Sequence, residues 1–247
     1  MDTHPYFKDD ERFKLVVKEL KSSAASISTA DTAVESLEPH NNSFQPGRSF
    51  LIYANGYATI RLPTPPSQLE IPIYHPDGSL AYVSTREKKS SGNAILSCPK
   101  IGDLISTSYF FGPSRDPIIR LLQSPSEVPP EIRVSGKWTS RQQTFAAPNG
   151  SEFVWRYVRE PEGKLLVLEI KDNQRRIAQL VRNEHRGPAR RCGRSTGKGG
   201  ELVLAQGAES ELDEALIVAT CLLMLKKEID RMRAIQMCQI SVIIGVI

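Results

Sequence analysis

Apolar and polar positions along the chain change their spacing twice. Residues 22–48 show no period, residues 49–206 alternate in short runs, and residues 212–236 are apolar over several helical turns. The alternating part consists of runs rich in Val, Ile, Leu, Phe and Tyr, separated by Gly, Pro, Asn and Asp, which is the pattern of strands and turns. It predicts strands over Phe50–Ala54, Tyr57–Leu62, Leu69–Tyr74, Ser79–Arg86, Ala94–Cys98, Leu104–Phe111 and Pro117–Leu122. The series continues with Glu131–Trp138, Gln143–Ala146, Glu152–Arg159, Lys164–Lys171, Arg176–Asn183 and Glu201–Gln206. Phe153, Trp155 and Tyr157 alternate with Val154, Arg156 and Val158, as in a strand with one buried face. Pro76-Asp77-Gly78, Pro148-Asn149-Gly150 and Pro161-Glu162-Gly163 are turn signals between neighbouring runs.

The last regular stretch has a different texture. From Ala215 to Leu225 only Thr220 interrupts the apolar residues. Ser210 is a good N-cap for a helix here, with Asp213 in its first turn, and Arg231 and Arg233 suit the negative end of the helix dipole. A helix apolar on all sides must be surrounded by protein or lipid. The apolar part spans roughly 16 Å at about 1.5 Å per residue, short of a hydrocarbon core of about 30 Å, so protein is the expected surrounding. Many strands without an intervening helix predict a sandwich or barrel, and closure removes the exposed edges. A barrel of about twelve strands has an interior that needs filling. The expectation is therefore a mainly β fold, a closed antiparallel β-barrel of about twelve strands around a hydrophobic C-terminal α-helix at 210–236.

The order of strands followed by SELDEALIVATCLLMLKKEIDRMRA resembles the tubby C-terminal-like superfamily, which includes tubby proteins, LURP-one-related proteins and phospholipid scramblases. The similarity covers roughly residues 49–236 and is sharpest in the helix, where Asp213–Arg233 reads much like the last helix of fungal members. The resemblance implies a twelve-stranded barrel around a central helix. It also implies binding of phosphoinositide head groups by basic residues on the barrel surface, as in tubby proteins. Residues 1–48 read as a disordered N-terminal arm, with a short amphipathic helix over Phe7–Lys21. The apolar tail 237–247 reads either as an extra strand or as an exposed, adhesive end, and is too short to span a bilayer as a helix.

Charge sharpens this picture. Residues 171–198 hold nine Lys or Arg against Asp172 and Glu184, a local charge of +7 in a chain of +4. Arg175, Arg176, Arg182, Arg186, Arg190, Arg191, Arg194 and Lys198 form the candidate lipid-binding set, because guanidinium groups pair with phosphate oxygens in a bidentate fork. The bland alternative is a solvated basic loop. Nucleic acid is disfavoured as a partner, since the segment lacks interleaved aromatics to stack bases. Proteins remain the other class of partner.

Catalytic motifs are weak. Gly193-Arg194-Ser195-Thr196-Gly197 matches the GxSxG pattern but lacks a preceding strand, a following helix and a downstream His. The same residues fall one short of a phosphate loop, with Gly199 where magnesium-binding Ser or Thr would stand. His4, His40, His75 and His185 do not cluster with Cys or carboxylates, so no metal or cofactor is expected. Cys98, Cys192, Cys221 and Cys238 include no CxxC pair, and Met1–Lys21 carries charges throughout, which points to a reducing, intracellular setting. The composite expectation is a non-enzymatic tubby-like protein, cytoplasmic or at a membrane surface with the nucleus also open, that binds anionic phospholipid. The alternatives are a protein-interaction scaffold and, third, a scramblase-like membrane-inserted protein.

Overall fold

The computed structural model describes residues 44–58, 68–88, 91–112, 115–124, 129–137, 140–160, 163–182 and 195–243. Two compact units are distinguished, 42–232 and a second made of 1–41 with 233–247. Among the described residues the first holds fourteen strands. These are β1 (Pro46–Ile52), β2 (Tyr57–Ala58), β3 (Glu70–Tyr74), β4 (Leu80–Thr85), β5 (Ala94–Cys98), β6 (Gly102–Ser108) and β7 (Ile118–Leu121), followed by β8 (Glu131–Ser135) and β9 (Gln143–Ala146). Then come β10 (Glu152–Glu160), β11 (Gly163–Ile170), β12 (Arg176–Val181), β13 (Ser195–Thr196) and β14 (Gly200–Ala205). One helix follows, α1 (Glu214–Ile243).

Twelve strands close into an antiparallel barrel. From β3 to β12 each strand pairs with the next, and β14 and β1 complete the ring between β12 and β3. The expected strands recur with their described ends shifted by at most a few residues, except that the described part of Tyr57–Leu62, β2, lies apart from the barrel, and 59–62 lie outside the described residues. It pairs with β13 in a separate two-stranded sheet, Tyr57 opposite Thr196 and Ala58 opposite Ser195. The expected Pro161-Glu162-Gly163 turn lies outside the described residues, as do residues 1–43 of the expected arm and the last four of the tail.

The two described turns share one construction. In Pro76-Asp77-Gly78 the Gly78 amide donates to the His75 carbonyl at 3.0 Å and the Ser79 amide to Asp77 Oδ1 at 2.8 Å. In Pro148-Asn149-Gly150 the Gly150 amide donates to the Ala147 carbonyl at 2.9 Å and the Ser151 amide to Asn149 Oδ1 at 3.0 Å. The glycines hold φ of 85° and 84°, a left-handed conformation open to a residue without a Cβ.

Inside the barrel, buried residues of its strands and of the helix form one apolar cluster. Phe50, Ile73, Ile119, Phe153, Trp155, Leu168, Leu180 and Leu202 are fully buried, and so is every α1 residue from Ala215 to Lys227. Thr220, the one polar interruption, bonds to its own helix: its hydroxyl lies 2.9 Å from the Leu216 carbonyl and 3.0 Å from that of Ile217. A buried hydroxyl satisfied this way needs nothing from the barrel wall.

Two expectations about the helix change. Its cap is Asp213, whose Oδ1 accepts from the Leu216 amide at 3.0 Å, and Ser210 instead sits in a 3-10 turn with its hydroxyl on the Gly207 carbonyl. Asp213 holds the position three residues before the amide to be capped, which Ser210 does not. The helix also runs on to Ile243, so Arg231 and Arg233 are not in its last turn, and part of the apolar tail is helical rather than a strand.

Core packing yields a direct test. Leu223→Ala should lower stability by about 2–5 kcal/mol, and Leu223→Asp should abolish folding by burying a charge without a partner. Urea denaturation of the two variants measures both; a well-folded Leu223→Asp protein rules out the central helix.

Candidate functional site: the charged end of the barrel

The helix is apolar only as far as Leu225. Beyond it, Lys226, Lys227 and Arg231 remain 4, 6 and 9% exposed, with Glu228 and Asp230 between them. Lys227 and Glu228 find partners from the strands at one mouth of the barrel, because the helix reaches that mouth while still enclosed.

Glu228 is the hub. It accepts from Arg182 Nη2 at 2.7 Å, from the Tyr157 hydroxyl at 2.8 Å and from the Gly197 amide at 3.2 Å. Burial pushes its carboxyl upward, but the hydrogen bond and charge of Arg182 lead a larger opposing set that holds it below the ordinary carboxylate value. Tyr157 is pushed above its usual range, first by burial and then by Glu228 against the opposing charge of Arg182. Both Arg182 and Arg141 also lie over the Tyr157 ring, at 5.8 and 6.0 Å from its centroid.

The neighbouring cations are less well matched. Lys226 pairs with Asp230 at 2.9 Å. Lys227 instead donates to the neutral Gln143 Oε1, at 2.5 Å; burial pushes its ammonium down to about 8, and the charge of Asp116 offsets only part of this. Arg231 Nε is buried with no hydrogen-bond partner. Arg231 is shifted downward, first by burial and then by the charge of Arg141, with Glu228 opposing. Positive charge therefore exceeds negative charge around Tyr157.

The same mouth explains the glycines of the 193–199 motif. Gly197 has φ of 70° and is packed on the helix, where a Cβ would stand 2.3 Å from Ile229 Cγ1. A Cβ on Gly199 would stand 2.1 Å from the Ile52 carbonyl oxygen. Ser195 lies in β13, with β14 rather than a helix to follow, so the strand–turn–helix setting of a nucleophile elbow is absent there.

The described members of the candidate basic set, Arg175, Arg176, Arg182 and Lys198, do not form one patch. Strand β12 separates its members by about 20 Å, at about 3.3 Å per residue. Arg175 lies at the opposite end of the barrel, paired with Glu211. Arg176 bonds Glu160 at 2.9 Å and Gln179 at 3.0 Å. Arg182 is half-buried on Glu228, and Lys198 is exposed. Arg186, Arg190, Arg191 and Arg194 lie outside the described residues. Arg141, Tyr157, Lys227, Glu228 and Arg231 were not legible as a site, although KKEIDRMR, following an enclosed helix without a break, marked where charge would meet the barrel end.

Cys98 and Cys221 are both free thiols, and no group of three His, Cys, Asp or Glu able to hold a metal occurs among the described residues. Nor, among them, is any helix long and apolar enough to cross a membrane. Compared with known proteins, the chain matches no family model, no curated protein and no solved structure.

The hub carries a pH signature. Because the Glu228 carboxyl has a lower pKa folded than unfolded, its ionised form contributes stability above the ordinary carboxylate range. That contribution is lost as pH falls through the lowered value. Glu228→Gln should cost about 2–3 kcal/mol at pH 7 by stranding Arg182, and should flatten the acid limb of the stability profile. Urea midpoints from pH 7 down to pH 3 measure both effects; a variant as acid-sensitive as wild type removes Glu228 from this role.

Proposed function

We propose that the chain is a non-enzymatic tubby-like domain protein that meets anionic phospholipid, of the phosphoinositide class, with the charged end of its barrel. The carrying observation is where segment 183–194 is rooted. Its flanking residues Arg182 and Gly197 both bond Glu228, so the chain leaves and rejoins the barrel at the mouth that already holds excess positive charge. Arg186, Arg190, Arg191 and Arg194 belong to that segment, and exposed Lys198 follows it. A closed barrel of twelve strands around an apolar helix is also the arrangement that the tubby resemblance implies.

The physical basis is electrostatic. Each Lys or Arg held near an anionic membrane contributes about 1 kcal/mol, and salt screens that attraction. Such a protein works in the cytoplasm or at the inner membrane surface, where these lipids face it. A protein-interaction scaffold is the second reading. It is favoured by the pairing of Arg175 with Glu211 and of Arg176 with Glu160, which removes two cations from the lipid-binding set.

Co-sedimentation with phosphatidylcholine vesicles, with and without phosphatidylserine or phosphoinositide, separates the two. The wild type should bind only the anionic vesicles and weaken as salt rises. Reversing charge at Arg190, Arg191 and Arg194 together should weaken binding by about a hundredfold or more, at about 1 kcal/mol each, while the thermal midpoint holds. Failure of the wild type to bind at low salt gives the scaffold reading its place.

A further inference from the structure

Beside the mouth, and apart from segment 183–194, the surface forms an open cleft of about 380 Å³. Ser140, Arg141, Gln142, Arg156, Tyr157 and Arg159 line it. With Val158 these make seven lining residues, three of them arginines, brought together because β10 runs out beside the residues that lead into β9.

Their charges are not equally engaged. Arg156 is held by Glu169 at 2.6 and 3.1 Å, a bidentate pair that cancels both charges. Arg141 and Arg159 have no carboxylate at ion-pair distance among the described residues. Arg141 rests over the Tyr157 ring, and Arg159 stands opposite Lys164 across the β10–β11 ladder, another basic position. The nearest acidic neighbour in sequence, Glu160, is taken by Arg176. Behind the cleft, Glu228 is shared by Arg182, Tyr157 and Gly197, so it has little left to offer Arg141. Arg231, buried within the field of Arg141, adds repulsion that an anion would relieve.

We propose that this cleft is a phosphate-binding site, in which Arg141 and Arg159 grip one phosphate group, free or as a monoester. Two guanidinium forks supply parallel N–H donors to a tetrahedral dianion and balance its charge. Ser140 and Gln142 add neutral polar groups at the rim. A base-stacking ligand fits poorly, because the one ring present, Tyr157, already lies beneath two guanidinium groups. The site does not rest on the lipid reading above: its residues are other than those of 171–198.

Titration of the full chain with inorganic phosphate at constant ionic strength, followed by NMR shifts of Arg141, Tyr157 and Arg159, tests it. The wild type should saturate with a millimolar Kd. Arg141→Gln and Arg159→Gln should each weaken binding about tenfold, the effect of losing a charge-assisted hydrogen bond. Arg133→Gln, exposed on β8, should change nothing. Arg141 and Arg159 are exposed, and thermal melts check that each variant is folded. A second arm uses phosphatidylcholine vesicles containing phosphatidic acid, a monoester on a lipid. Vesicle binding lost in Arg141→Gln assigns the phosphate to a membrane; phosphate binding without vesicle binding assigns it to a soluble molecule. Both outcomes keep the site. No saturable phosphate binding by wild type, or wild-type affinity in both arginine variants, overturns it. Failure on phosphatidylserine and phosphoinositide vesicles with phosphate binding intact sinks only the lipid reading.

Discussion

A helix with no polar face cannot stand in water, and the enclosure of residues 215–227 is the constraint on which the other features depend. It requires a ring of strands wide enough to accept a helix, and the sheet meets this by closing β1 on β3 so that no ladder edge is left unpaired. It requires inward side chains of large volume, supplied by Phe50, Phe145, Phe153 and Trp155. It also requires that the helix begin and end at defined depths. At the start, Glu214 accepts from the Tyr82 hydroxyl at 2.6 Å and pairs with Arg48 at 3.2 Å. Near the other end Glu228 is fixed by Arg182, Tyr157 and Gly197. The two glutamates are about 21 Å apart along the helix, at about 1.5 Å per residue, and act as stops at the two barrel mouths.

Those two mouths differ in how their charges are balanced. Around Glu214 the cations have acidic partners: Arg48 meets Glu209 and Glu214, and Arg175 meets Glu211. Around Glu228 only some do: Arg182 meets Glu228 and Lys226 meets Asp230. Lys227 has a neutral amide and Arg231 Nε has no partner, although both are almost wholly buried. Buried charge without a counterion lowers stability, and such sites concentrate where a protein binds something. This asymmetry ties the fold to its proposed role. The enclosed helix delivers cations to one end of the barrel, and the strand ends and loops there add more.

Much of the architecture was legible in the sequence because its signals are local. The strands from β3 to β12 carry period-two alternation with turn residues between them, and Ala94–Cys98 and Gln143–Ala146 match residue for residue. The helix declares itself by composition. Strand β13 and its pairing with β2 left no trace, since two residues are too few for a period, and the pairing depends on two loops meeting at the barrel mouth. The charged site was hidden for a related reason. KKEIDRMR has the composition of a solvated helix end, and only the closure of the barrel shows that Lys227 and Arg231 are enclosed. Arg141 and Tyr157 are neighbours through the pairing of β9 with β10, and Arg182 reaches them across β11, so no spacing along the chain connects the three. Of the 171–198 segment, contiguous in sequence, the described members Arg175 and Arg182 are set by β12 toward the two ends of the barrel, a separation that no sequence spacing discloses.

Native-state amide hydrogen exchange tests the enclosure most directly, because a helix held inside a closed barrel cannot open unless the barrel does. The amides of Leu216–Leu225 should exchange only through global unfolding, with the same free energy and denaturant dependence as those of Phe153, Trp155 and Leu202. Exchange of the helix amides through a smaller, separate opening, while the strands stay protected, would contradict a barrel built around its own helix.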